Sequence, residues 1–362
     1  MIFDKLTEVV FKVGGFNLAK PLLFCLIVIS VLFPACQGEK KEEVLAGSER
    51  KADSTANDFN SKELKEVNAE LLNTPNDPTL YVKRSRVYIG LKDFDLALSD
   101  ALRATKLDSS KAEHYIALAD VYFASNKARY AKETLEYVVK RFPDNSEGLL
   151  KLAELLYLVR QYESAIAYIN KALKLDESNA KAYYLKGSIY KESGDTAKAI
   201  SSIQTAVEQD NQYFDAYNDL GLLYGARKNP LAFQYFDNAL RINPSSQVVL
   251  YNKAKLLQDM KRIDESMAVY DQILQINRDN TQALYNIGAI FLAVKKDPRS
   301  AIEYFSKAIT VDPKFTEAYF ARGVSFEELK DFSSAKADYK AALDITPNYE
   351  PAVEALNNLE KK

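Results

Sequence analysis

From Pro78 to Tyr349 the same residue types return about every 34 positions, in eight registers that open at Pro78, Ala112, Ser146, Ala180, Phe214, Gln247, Thr281 and Thr316. A period of this size constrains the fold more than any other feature. Each unit has to be one supersecondary element that buries its apolar face against its neighbours. Slot eight of every unit is small (Ser85, Ala119, Ala153, Gly187, Gly221, Ala254, Gly288, Gly323), and so is slot twenty (Ala97, Ala131, Ala165, Ala199, Ala232, Ser266, Ala301, Ala335). Slots four and eleven carry large apolar residues such as Tyr81 and Tyr88, and with slot eight they form one helical face. Slot twenty-seven, mostly alanine, marks a second face after a turn. Each unit is therefore predicted to be a pair of helices that approach closely at the small residues. Pro143, Pro244, Pro313 and Pro347 fall at slot thirty-two, where the chain leaves one pair for the next. Unit five is one residue short and unit seven one long, both between slots eight and twenty, so the interhelical turn is expected to absorb the change. Unit six departs most, with Ser266 and Ile273 in place of alanines.

This pattern of small, aromatic and alanine slots resembles the tetratricopeptide repeat, over 272 of 362 residues. The resemblance implies an all-α fold, a right-handed α-solenoid of about eight helix-turn-helix repeats: 78–111, 112–145, 146–179, 180–213, 214–246, 247–280, 281–315 and 316–349. A stacked array needs covers at its ends. Residues 61–77 are predicted to be an N-terminal capping helix, with Asn60 and Glu63 as a capping box before the stripe Leu64, Val67 and Leu71. Residues 350–362 are predicted to be a C-terminal capping helix, with Pro351 near its start and Val353 and Leu356 available to pack.

The resemblance also implies that first helices line a concave surface, with slots two, five, six, nine, twelve and thirteen facing inward. Slot five reads Val82, Ile116, Leu150, Tyr184, Asn218, Tyr251, Tyr285 and Phe320, apolar at seven of eight places. Two readings stand side by side: a wall for a peptide or helix with its own apolar residues, or side chains buried by adjacent helices. Asn252 and Asn286 occupy slot six, where asparagine in the family hydrogen-bonds the backbone of an extended ligand. The candidate partner-binding residues are Lys83, Arg86, Tyr184, Tyr251, Asn252, Tyr285, Asn286 and Phe320. Charges at the inward slots sum to −5, from +2 in repeat one (Lys83, Arg86) to −3 in repeat eight. The co-chaperone form of the family grips a terminal carboxylate with lysine at slot five; no repeat here has lysine there, which disfavours that mode.

Ahead of the repeats, Leu22 to Phe33 is an uncharged apolar run of twelve residues. A helix of that length rises about 18 Å, short of a hydrocarbon layer of about 30 Å. Lys20 before it and Ala35 after it give the order of a secretory signal. Phe33-Pro34-Ala35-Cys36 resembles the bacterial lipobox, with phenylalanine where leucine is usual. That resemblance implies a signal peptide at 1–35 and lipid on Cys36, and so a protein anchored in the bacterial cell envelope, expected at the outer membrane facing the periplasm or the cell surface. Asp4 and Glu8 lie among the lysines of a segment long for such a leader, which places the expected start downstream of Met1. Residues 36–60, with few large apolar side chains and no period, are expected to be a flexible tether.

The other function classes find little support. Forty-eight basic against fifty acidic residues give a net charge of −2, which provides no overall cationic field for nucleic acid. Both cysteines, Cys25 and Cys36, precede the repeats, so these carry no disulfide or thiolate metal site. His114 is the only histidine and reads as a boundary residue at slot three of repeat two. No phosphate-cradling glycine loop or serine elbow is present. The expectation is a non-enzymatic scaffold without cofactor, metal or small-molecule substrate, which binds protein or peptide partners in its groove. The alternative is a structural subunit of an envelope secretion, motility or assembly complex, associating through the solenoid.

Overall fold

The computed structural model describes residues 62–359; Cys36, the expected signal peptide, the tether and Asn60 of the capping box lie outside the described residues. Among the described residues there are eighteen helices and no strand. They fall into two compact units, 62–211 and 212–359. Unit 62–211 opens with α1 (62–73) and continues with four hairpins: α2 (Pro78–Gly90) and α3 (Phe94–Leu107), α4 (Ala112–Ala124) and α5 (Ala128–Arg141), α6 (Ser146–Leu158) and α7 (Tyr162–Leu175), α8 (Ala180–Glu192) and α9 (Thr196–Gln209). Unit 212–359 holds α10 (Phe214–Gly225) and α11 (Leu231–Ile242), α12 (Gln247–Asp259) and α13 (Ile263–Ile276), α14 (Thr281–Ile290) and α15 (Pro298–Val311), α16 (Thr316–Glu328) and α17 (Phe332–Ile345), and a final α18 (Glu350–Leu359).

The hairpins close where the sequence puts its smallest residues. The slot-twenty residues from Ala97 to Ala335 are fully buried or nearly so, Ser266 among them. Slot eight faces slot twenty-four of the partner helix, and where slot eight is glycine the partner side chain occupies the space a Cβ would need. A Cβ on Gly187 meets the Ile203 side chain at 2.4 Å and the Ala199 carbonyl at 3.2 Å; one on Gly221 meets the Phe236 ring at 2.4 Å. Gly288 and Gly323 stand in the same way against Phe305 and Tyr339. Where slot eight is Ala119, Ala153 or Ala254, slot twenty-four is Leu135, Ile169 or Tyr270. Ser266 accommodates its hydroxyl by donating to the Ala254 carbonyl at 2.8 Å, so the polar substitution in repeat six leaves no unpaired group.

A second periodic device turns the chain between paired helices. One left-handed residue stands at the same place in every repeat: Lys92, Asn126, Arg160, Gly194, Lys228, Lys261, Lys296 and Lys330, with φ between 51° and 83°. This is the αL stop that ends a helix and frees its last carbonyls for i→i−5 bonds such as Asp93 N to Tyr88 O, 2.9 Å. Asp93, Asp195, Asp297 and Asp331 follow directly and cap the second helix, accepting from the backbone N–H three residues on.

This uniform turn explains where the length changes went. The extra residue of repeat seven is absorbed by a π-helical turn at Phe291–Lys295, ahead of the αL residue Lys296, and not by the loop as expected. The missing residue of repeat five falls after Lys228, at Asn229 and Pro230, and α11 has 12 residues where its counterparts have 14.

At the N-terminal end Val67 and Leu71 of α1 pack on Leu80 and Tyr81, with Leu64 half-buried. At the other end the expected stripe is corrected. Ala352 is fully buried, Ala355 and Leu359 pack beside it, Leu356 is half-buried and Val353 is exposed. Pro351 stands at the start of α18 and is half-buried.

Candidate partner-binding face

The site follows from how the first helices of neighbouring hairpins meet. In unit 62–211 their charges are consumed by one another. Lys151 of α6 donates to Asp120 of α4 at 2.7 Å, and Lys181 of α8 pairs with Glu154 of α6 at 2.5 Å. Lys83 reaches Glu70 of α1 at 3.5 Å, while Arg86 is exposed. The slot-five residues Val82, Ile116 and Leu150 are buried between helices, and Tyr184 is half-buried. Of the expected basic patch, Lys83 is thus partly engaged by the capping helix.

In unit 212–359 the slot-five aromatics divide. The expectation of an aromatic wall running through Tyr285 and Phe320 is corrected: both rings are interior. Tyr285 packs at 5.6 Å from Phe305 and 5.1 Å from Phe315, and Phe320 at 5.7 Å from Tyr339 and 5.6 Å from Tyr349. The physical reason is a second ring at the end of the repeat: Phe315 closes over Tyr285 and Tyr349 over Phe320, where repeat six has Asn280. Tyr251 is only half-buried, edge-on to Tyr270 at 6.1 Å, and burial pushes its phenol up while a hydrogen bond with Asn286 acts the other way.

Three amides occupy successive first helices here, and two of them bond to each other. Asn252 of α12 donates to Asn218 of α10 at 3.2 Å; Asn286 of α14 donates to the Gln282 carbonyl at 2.7 Å and is itself buried. Lys255, one turn beyond Tyr251 and Asn252 on the same side of α12, was not among the expected site residues. Burial lowers its ammonium, opposed only by Asp259, and it makes no ion pair among the described residues. Summing charges repeat by repeat hid it, because Asp259 cancels it on paper; asking which inward cation faces neutral slots on the next helix would have found it.

The lone histidine is structural. His114 is buried, and its Nδ1 lies 2.7 Å from the carbonyl of Asp108, to which it donates, joining the end of α3 to the start of α4. Among the described residues no group of three or more His, Cys, Asp or Glu is placed to hold a metal ion, and no helix is long and apolar enough to cross a membrane.

Stacked helical hairpins closed by small residues, with an accessible face on the first helices, define a helical-repeat protein. The chain belongs to the tetratricopeptide repeat family, whose descriptions match residues 78–111, 116–180, 180–213, 223–287 and 295–350. It is similar to BBSome complex member BBS4 of Bos taurus, 24% identical over 262 residues that cover 71% of this chain and 43% of the relative. It is also similar to anaphase-promoting complex subunit 3 of Schizosaccharomyces pombe, 22% identical over 278 residues, 75% of this chain and 36% of the relative. The chain thus spans less than half the length of either. Among solved structures, a tetratricopeptide repeat protein from Parabacteroides merdae matches with TM-score 0.48 at 21% identity, covering 70% of this chain and 99% of the other.

Proposed function

We propose that the protein is a lipid-anchored scaffold of the bacterial cell envelope, which holds protein or peptide partners against the first-helix face of repeats five to seven. The observation that carries the binding part is the contrast between the two units. Neighbouring helices satisfy each other's charges in 62–211, whereas around Tyr251, Asn252 and Lys255 a half-buried aromatic, an amide and an unpaired cation share one accessible patch. Such a mixture of apolar area and convergent polar groups is what recognition of an extended chain requires. The anchoring part rests on Phe33-Pro34-Ala35-Cys36 and the charged segment after it. Replacing Cys36 with Ala is expected to abolish lipid labelling and leave an unprocessed precursor; normal labelling would overturn the anchor.

A second reading, a structural subunit of an envelope complex, draws on the relatives' names, two of which denote members of multi-subunit assemblies. A photo-crosslinking residue in place of Tyr251, activated in intact membranes, separates the two. Adducts with a heterologous peptide or protein are expected, whereas adducts only between copies of the chain would favour the structural subunit.

A further inference from the structure

The surroundings of Lys255 narrow the partner. In unit 62–211 the slot-nine side chains Asp120 and Glu154 each meet a lysine from slot six or slot two of the following first helix. Lys255 holds slot nine of repeat six, and the corresponding places on α14 are Asn286 and Gln282, both neutral. The same architecture that neutralises charge elsewhere therefore leaves one ammonium partly desolvated and without an acceptor. A partly buried cation in that state gains most from a carboxylate that arrives with its own shielding from water. On either side the sign reverses. Asp215 is exposed at the start of α10, and Glu317 and Glu328 stand on α16. These repel further acidic groups and admit neutral or basic ones.

We propose that the segment bound across α10, α12 and α14 is an extended peptide with one acidic side chain seated on Lys255 and neutral or basic residues on both sides of it. This rests on the peptide-binding reading above. An internal acidic residue fits better than a terminal carboxylate, because amides lie on both sides of Lys255, Asn218 with Asn252 towards repeat five and the exposed Gln282 towards repeat seven. The bound chain accordingly runs through the site.

The test uses the folded chain and short synthetic peptides with acetylated and amidated ends, which removes terminal charge. The central residue is Glu, Gln or Lys, crossed with Arg or Glu flanks in an aliphatic background, and binding is read by fluorescence anisotropy. Glu-centred, Arg-flanked peptides are expected to bind about tenfold more tightly than their Gln-centred counterparts. Lys255→Gln should erase that margin, and Lys255→Glu should move the preference to Lys-centred peptides, with far-ultraviolet circular dichroism unchanged in both variants. Equal affinity for every central residue, with binding still lost in Asn252→Ala, would sink the charge assignment and leave the binding face standing. Failure of every peptide to bind would overturn both.

Discussion

Taking the pH from about 9 to about 11 is expected to unfold repeats six to eight while repeats one to four keep their helices, because a free tyrosine ionises near pH 10. In unit 212–359 burial is the leading cause that holds the phenols of Tyr251, Tyr270, Tyr285, Tyr339 and Tyr349 protonated above that value. Two of these hydroxyls donate to acceptors in the interior, Tyr270 to Gln258 at 2.8 Å and Tyr339 to Glu327 at 2.9 Å, so ionisation removes a bond as well as burying a charge. Each folded-state value is raised. The stability it represents is therefore whole below the unfolded value and declines as pH climbs past about 10, where the unfolded chain releases protons that the fold retains. The slope is about 1.4 kcal/mol per pH unit for each phenol that the fold keeps protonated, so a few deeply buried rings together reach a large fraction of the stability of an ordinary domain. In unit 62–211 burial likewise raises Tyr115. Helicity followed against tyrosinate absorbance, with hydrogen exchange to assign the unfolding segments, checks the result. Uniform loss along the chain, or full helicity at about pH 12, would contradict it, and Tyr339→Phe should move the midpoint upward.

The sequence carried the hairpin plan because alanine, glycine and serine at slots eight and twenty share one purpose, close approach of two helices, and no large residue satisfies it. What it did not reveal was the reciprocal slot twenty-four. Ile203, Phe236 and Tyr339 look like ordinary core residues until the glycine opposite each is seen. The turns were hidden for a different reason. Their left-handed residue is glycine only at Gly194; elsewhere lysine, arginine or asparagine carries the positive φ, so the usual glycine signal is absent. The partner face was legible in part. Periodicity marks which residues share a helix face, but Tyr251 and Tyr285 occupy the same slot and part company over the residue that closes the repeat, Asn280 in one and Phe315 in the other. That residue comes from the far end of the repeat. Lys255 was invisible for a related reason, since its importance lies in what the next repeat lacks.

Arg322→Met is expected to lower the stability of repeat eight by about 3 kcal/mol, whereas Arg322→Met with Asp338→Leu should recover most of that loss. Arg322 crosses from α16 to Asp338 of α17 through two bonds of 2.8 Å and reaches Ser306 of α15 at 3.0 Å. The Asp338 side chain is only 8% exposed, so removing the guanidinium alone strands a carboxylate in the interior, which costs far more than the pair contributes. The chain contains its own control for the double replacement. The same two slots hold Arg84 and Asp100 in repeat one, bonded at 2.6 and 2.8 Å, but Leu152 and Tyr168 in repeat three and Ile287 and Tyr304 in repeat seven. The hairpin thus accepts an ion pair or two less polar side chains at this crossing, and repeats four and six carry a lysine there without the acid; what no repeat carries is the carboxylate without its cation. Urea unfolding followed by circular dichroism, with hydrogen exchange in α16 and α17, measures both variants. A single replacement as stable as the parent would mean that Asp338 keeps its water in the fold, and a double replacement no better than the single would mean that the crossing depends on charge after all.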